Sequence, residues 1–350
     1  MSAPTTPPDF VSSSLAGYCV SQAIVAAYQC GLWAAFDNGD DKELRLATFR
    51  DAKNLEPGYL LALVSYLEQN QVLEKTHAGE DLAIRLTERG RMLVKGGLGP
   101  FLLVIGGYGR VLSSMGPLTT REIAFDDMKA RARDGHLVAL GTDLASRRKG
   151  GNYDLALDRA ELVPDPKLVV DLGCGSAAFL VELLNRTKAK QGLGVEIDAA
   201  ACTLGRKTLA DAKLDHCSIV HTDIRTLLEQ RPDIEGTCDV VTGLFVVHEF
   251  FRAGFAGAVA EFTALRRLLH PTNGRLLIVD KITDPLDAGQ GDAMSKVFKL
   301  FHEFTDQALW SREEWGRLFA EAGLAVAFEK EVIGPAGHTG TVLFECKRKR

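Results

Sequence analysis

Two His-Glu-Phe triplets, His248-Glu249-Phe250 and His302-Glu303-Phe304, are the residues of this chain best suited to chemistry. Two histidines with an adjacent carboxylate are the usual donors of a non-haem iron or zinc centre that keeps positions open for a substrate. His248, His302 and Glu249 are therefore candidate ligands for iron or zinc, Glu249 either as a third ligand or as an orienter of the histidine. His248 can also work without a metal, because an imidazole titrates near neutrality and can take a proton from an attacking group. His302 is then an ordinary residue of the pocket wall. A small anionic substrate needs a planar, bidentate partner for its carboxylate, and an arginine supplies it. The stretch from Gly96 to Gly151, helical in pattern, offers Arg110, Arg121, Arg131, Arg133, Arg147 and Arg148. Most arginines lie on the surface; Arg110 and Arg133 are the expected substrate partners, with Arg121 third. The expected catalytic set is thus His248, Glu249, Arg110 and Arg133.

A second signal is the run Leu168-Val169-Val170-Asp171-Leu172-Gly173-Cys174-Gly175, followed by a helical pattern from Phe179 to Leu184. The apolar run reads as an interior parallel strand, and the glycines let a backbone approach a ligand closely. The spacing Gly173-x-Gly175-x-x-Ala178 by itself also fits the dinucleotide fingerprint, in which a pyrophosphate rests on a helix N-terminus. Asp171 separates the two, because its carboxylate repels a pyrophosphate and welcomes an ammonium group. A cationic cofactor follows, and S-adenosylmethionine carries both an amino group and a sulfonium. Glu196 ends a second strand pattern, where it can accept from ribose hydroxyls. Asp223 ends a third and can reach an adenine amino group. Asp171, Gly173, Gly175, Glu196 and Asp223 are the expected cofactor residues.

The elements that must position these residues are five strand patterns, the last two at Cys238–Glu249 and Gly274–Asp280, each separated by a helical pattern. They form an open α/β sheet. Leu324–Ile333 and Gly340–Lys347 follow with only a turn between them, so the sheet ends in an antiparallel hairpin. Ligands occupy the crevice beyond the carboxyl ends of such strands, where His248 falls. On these motifs the region from Asp154 to Arg350 resembles the class I S-adenosylmethionine-dependent methyltransferases, with their Rossmann-like sheet.

The N-terminal part carries helical patterns at Leu15–Phe36 and Gly58–Gln69, then Gln71–Lys75 and Asp81–Leu86 flanking His77-Ala78-Gly79 as a hairpin wing. It resembles the winged-helix domain that precedes the catalytic domain in plant-type small-molecule O-methyltransferases, where it serves dimerisation and covers the substrate. The expected division is a winged-helix dimerisation domain over 1–95, a helical connecting segment lining the substrate site over 96–153, and a catalytic domain over 154–350. The plant-type enzymes hold a His-Asp-Trp stretch whose histidine is the base for a phenol. Here Glu249 and Phe250 replace its last two residues.

More narrowly, His248-Glu249, His302 and Thr305-Asp306-Gln307-Ala308-Leu309 resemble the metal-dependent α-keto acid C-methyltransferases of the phenylpyruvate C-methyltransferase type. That resemblance implies a metal held through the two histidines, a small α-keto acid chelated to it, and methylation at the β-carbon. An O-methyltransferase using His248 as base without metal is the alternative. A regulator that keeps the fold without catalysis is disfavoured by the intact Asp171, Glu196, Asp223 and His248.

Composition bounds the rest. At 350 residues the chain exceeds one comfortable core, so two domains are expected. The net charge of −5 and the lack of a basic stripe argue against a nucleic-acid partner, as does the acidic group Asp37, Asp40, Asp41 and Glu43 beside the helices. Seven cysteines without CxxC spacing imply reduced thiols in a cytoplasmic protein. Residues 1–9 read as a flexible leader, and no apolar run of about 18 residues is read as a membrane span. The apolar surplus in Leu15–Phe36 fits a subunit interface, and hence a homodimer.

Overall fold

Capping residues set the first elements of the chain. The computed structural model describes all residues except 1–8, 40, 41, 78, 80, 81, 129–131, 148, 149, 306, 335, 336 and 350, and omits the side chains of 37–39, 334, 337 and 338. The leader as far as residue 8, Asp40, Asp41, Ala78, Asp81, Arg131, Arg148 and Asp306 lie outside the described residues. Two compact units emerge, Met1–Gly107 and Tyr108–Arg350. Residues 96–107 go with the first and 108–153 with the second, so the segment expected to connect two domains is divided between the units.

In the first unit, Asp9 accepts from the N–H groups of Val11 and Ser12 and starts α1 (Phe10–Gln29) ahead of the expected Leu15. This helix is long and apolar enough to cross a membrane by length and composition, which corrects the expectation that no such run exists. Its buried residues, Ala23, Ile24, Val25 and Ala27, gather in its second half, whereas Phe10, Val11, Leu15 and Tyr18 are exposed. A two-residue strand, β1 (Leu44–Arg45), leads into α2 (Leu46–Lys53), and Pro57 in the first turn opens α3 (Pro57–Gln69). The wing forms from β2 (Leu73–Lys75) and β3 (Ala83–Leu86), antiparallel with Leu73 opposite Leu86. An unforeseen third strand joins them, giving the order β1-β3-β2. The helical pattern beyond Leu93 does not make one straight helix. Gly96, at φ +125, breaks it into π-type turns at Leu93–Gly97 and Leu102–Gly107.

The second unit opens with short helical turns, then α4 (Gly135–Ser146), capped by Asp134, and α5 (Asn152–Ala160). Its sheet is built from β4 (Leu168–Leu172), β5 (Gln191–Glu196), β6 (Cys217–His221), β7 (Val240–Leu244), β8 (Arg275–Lys281), β9 (Leu324–Gly334) and β10 (Gly337–Arg348). The order is β6-β5-β4-β7-β8-β10-β9, parallel from β6 through β8 and antiparallel in the closing hairpin. Fully buried Val169, Val170, Val240 and Val241 make the centre apolar on both faces, as a parallel sheet requires.

Between the strands run α6 (Ala178–Thr187), α7 (Ala199–Asp211) and α8 (Gly254–Leu268); α9 (Ala293–Glu303) and α10 (Arg312–Glu321) precede the hairpin. One core cluster packs Phe262, Trp315, Phe319 and Phe344, and the other Leu180, Leu183, Val169 and Leu343. The reversal of strand order between β5 and β7 opens a crevice at the carboxyl end of β4. The outer strand β9 carries Glu329, Lys330 and Glu331, and Arg312 pairs with both glutamates.

A buried ion cluster ties the hairpin down. Glu345 of β10 is fully buried and pairs with Arg159 of α5 at 2.6 Å and with Arg275 of β8. Removing the carboxylate strands two partly buried guanidinium groups. Glu345→Ala is expected to lower the unfolding free energy by about 3 kcal/mol, read as a shift in the urea midpoint.

Candidate active site

The turn after β4 is shaped by three left-handed residues, Gly173 (φ +64), Gly175 (φ +50) and Ala177 (φ +58). A Cβ on Gly173 would stand 2.6 Å from Val246 Cγ2, so the glycine is required by packing as well as by backbone conformation. Glu196, at the end of β5, accepts the N–H groups of Gly175 at 2.9 Å and Asp198 at 2.8 Å. Asp171 lies beneath this turn, 3% exposed, with the Thr242 hydroxyl donating to it at 2.7 Å. Burial pushes its carboxyl up to about 7, against the pull of that hydrogen bond and with help from Glu196. Asp223 caps the turn after β6 and forms a bidentate pair with Arg225. Asp171, Gly173, Gly175 and Glu196 are brought together at one strand end; Asp223 stands at the end of β6 with its carboxylate engaged.

The second cluster begins where Phe245, at φ +54, turns the chain out of β7 into a 3₁₀ helix, Val247–Ala253. His248 on that helix is 2% exposed and its Nδ1 lies 2.8 Å from Asp280 Oδ1. Asp280 on β8 is wholly buried and also accepts the backbone N–H of Lys281 at 2.8 Å. His302 of α9 is 3% exposed, and its Nδ1 lies 2.7 Å from the Phe298 carbonyl. A carbonyl can only accept, and an ionised carboxylate can only accept, so both rings carry their proton on Nδ1. Each therefore offers the lone pair of Nε2. The ring centroids are 4.6 Å apart at an interplanar angle of 79°.

The two rings are driven in opposite directions. Burial depresses the basicity of His248, but the Asp280 carboxylate outweighs it by charge and hydrogen bond and holds the ring above its ordinary value. His302 has no carboxylate; burial and the neighbouring His248 push it well below. Phe298 stacks on His302 at 3.8 Å, and Tyr108 stacks on Phe301 at 4.4 Å. Arg133 donates to Glu249 at 3.1 Å, and the Tyr108 hydroxyl acts on its charge. Burial works against its charge, yet Glu249 and Tyr108 hold it above the ordinary arginine value.

Two imidazoles with committed Nδ1 groups are the donor arrangement that a first-row cation takes once each Nε2 is free of a proton, with acceptors behind each ring fixing the tautomer. The residues fit such an ion as a pair, not as a triad. Among the described residues no group of three histidine, cysteine, aspartate or glutamate side chains is placed to hold a metal. Glu249, a candidate third ligand, is given to Arg133. Arg110 is exposed on the helical turn Gly109–Ser113, outside the buried cluster. Asp280 is not among the residues expected from sequence; its position at the end of the fifth strand, beside the end of the fourth, was the available signal.

A methyltransferase domain is matched over residues 170–276. Over 341 residues the chain is 27% identical to 2-ketoarginine methyltransferase of Streptomyces arginensis, covering 93% of this chain and 90% of that protein. Among solved structures, mitomycin 7-O-methyltransferase matches with a TM-score of 0.64 at 17% identity over 97% of this chain and 96% of that one. Human N-acetylserotonin methyltransferase in complex with S-adenosylmethionine matches at 0.64 and 14% identity over 100% of both chains. The solved structures establish the fold: a mainly helical N-terminal region followed in the chain by a class I methyltransferase sheet. The chain is an S-adenosylmethionine-dependent methyltransferase.

Asp280→Asn keeps the shape beside His248 and removes the charge that sustains its basicity. The His248 pKa is expected to fall below the ordinary imidazole value, followed by ¹⁵N-detected NMR titration, while His302 remains neutral throughout.

Proposed function

We propose that this methyltransferase transfers the methyl group of S-adenosylmethionine to the β-carbon of a small α-keto acid, with a metal ion held by His248 and His302. The observation that carries the reading is the buried pair of imidazoles, each with its Nδ1 committed, beside an arginine already arranged for a planar anion. The relative over nearly the full length, whose name gives a 2-keto acid as its substrate, supports it.

In this reading Asp171, Gly173, Gly175, Glu196 and Asp223 hold the methyl donor. Asp171 suits the donor's ammonium, since a neighbouring cation draws a buried carboxyl back to its charged form. Glu196 suits the ribose hydroxyls and Asp223 the adenine amino group, each by exchanging a protein partner for a ligand one. Arg133 has the planar geometry to bind the substrate carboxylate, and Tyr108 and Glu249 fix its plane. An ion on the two imidazoles would supply Lewis-acid polarisation of the keto oxygen, making the adjacent C–H more acidic.

A base removes one β-proton, and the enolate carbon attacks the sulfonium methyl in line. A carbon–carbon bond forms as the carbon–sulfur bond breaks, and the electron pair goes to sulfur, leaving neutral S-adenosylhomocysteine. Glu249 is the carboxylate nearest in sequence to His248, and we assign it the role of proton acceptor once the substrate carboxylate takes its place on Arg133. Phe298, Phe301 and Tyr108 exclude water, which strengthens every charge interaction inside. A homodimer is part of the proposal, supported by the exposed apolar side chains Phe10, Val11, Leu15 and Tyr18 on α1.

A second reading has its own observation. The His248–Asp280 pair is also the arrangement of a general base with its orienting acid, which suits O-methylation without metal. Turnover of keto acids with guanidino, aromatic and aliphatic side chains, beside catechol-type phenols, separates the two when run with and without a strong chelator. The expected result is β-methylated keto acid, lost on chelation. His302→Ala is expected to lose bound metal by elemental analysis and ~100-fold in rate, with donor binding by calorimetry unchanged. Chelator-resistant methylation of a hydroxyl would overturn the keto-acid reading in favour of the second.

A further inference from the structure

Consecutive residues at the carboxyl end of β8 reach toward the two histidines by different routes. Asp280 holds His248 directly. Lys281, the next residue, is buried at 9% exposure and enters the structure beside the first turn of α9. Its Nζ donates to Ser295 Oγ at 3.2 Å and to the Thr339 carbonyl of β10, and Ser295 Oγ donates to the same carbonyl. Ser295 is itself 1% exposed and its N–H is capped by Asp292 at 2.7 Å. One turn further along α9, Phe298 lies with its ring centroid 5.6 Å from the Lys281 ammonium. That phenyl ring stacks on His302, and the carbonyl of the same residue fixes His302 Nδ1.

A buried ammonium is an expensive way to fasten a helix to a sheet, since an apolar side chain of similar length packs without desolvating a charge. What the lysine adds is direction: three elements, β8, β10 and α9, meet at hydrogen bonds that tolerate one register only. From this geometry we infer that Lys281 is a positioning residue for the reaction, pinning the first turn of α9 so that Phe298 presents its ring and carbonyl to His302. The inference rests on the histidine pair being the reacting centre. Adjacent residues of one strand then register both halves of that pair.

The charged groups that act on Lys281 are Asp292 on α9 and Asp280 on its own strand, and its charge in turn reaches His302. Burial pulls the ammonium down to about 8 despite the two carboxylates. Among the described residues no carboxylate forms a salt bridge with Lys281, and hydrogen bonds to Ser295 and Thr339 hold it.

Lys281→Met removes the donors at nearly constant length, and Ser295→Ala removes the relay while leaving the charge. The proton on Nδ1 of each buried imidazole gives a separate downfield NMR signal. In Lys281→Met the His302 signal is expected to shift or broaden while that of His248 stays. kcat is expected to fall ~10-fold or more, with S-adenosylmethionine affinity within about twofold of wild type. Ser295→Ala is expected to move the same signal and kcat in the same direction by less, and it carries the test if the methionine variant does not fold. Both imidazole signals unmoved, with kcat within twofold, would overturn the inference. His302→Ala at the wild-type rate would instead remove the reading beneath it, and the NMR comparison would still decide whether Lys281 positions that ring.

Discussion

A carboxylate sealed from water against an imidazole is the constraint around which this catalytic unit is arranged. Asp280 has no exposed surface, so each of its lone pairs must find a donor inside the protein. It finds them in the His248 ring, the His248 backbone N–H and the Lys281 backbone N–H. This arrangement dictates the tautomer of His248 and binds the end of β8 to the 3₁₀ helix after β7. His302 meets the same demand with a peptide carbonyl in place of a charge. Two identical side chains with touching rings therefore differ in basicity, His248 being the more basic.

Much of this was visible in the chain alone, because some residues report their surroundings locally. The apolar run into Gly173 and Gly175 announces a buried parallel strand and a left-handed turn, and the hairpin shows itself as two strand patterns without a helix between them. The His-Glu-Phe triplets name both imidazoles. Asp280 and Lys281 are marked in the sequence by position alone: each is a polar residue closing an apolar strand, and its importance comes from neighbours distant in sequence. Glu249 misled for the same reason, since Arg133 claims it across a loop that no local pattern connects. The stretch from Gly96 reads as helical in pattern, but the positive φ of Gly96 interrupts the helical turns at its start.

Fold and reaction are separate matters in this molecule. The sheet order and the glycine turn belong to the fold, and a similar sheet occurs in mitomycin 7-O-methyltransferase. The proposed chemistry lies in a handful of side chains after β7, at the end of β8 and on α9. Function is decided by such sites rather than by the scaffold that carries them.

The open flank of the sheet has a consequence for the behaviour of the protein in concentrated solution. Strand β9 leaves one row of backbone groups without a neighbouring strand, which in many sheets invites an intruding chain to pair. Here the approach runs past Glu329, Lys330 and Glu331, with Arg312 clasping the two glutamates. An incoming strand must strip the hydration from these groups before it can form a single ladder hydrogen bond, so fibril growth from this rim is suppressed by the residues that border it.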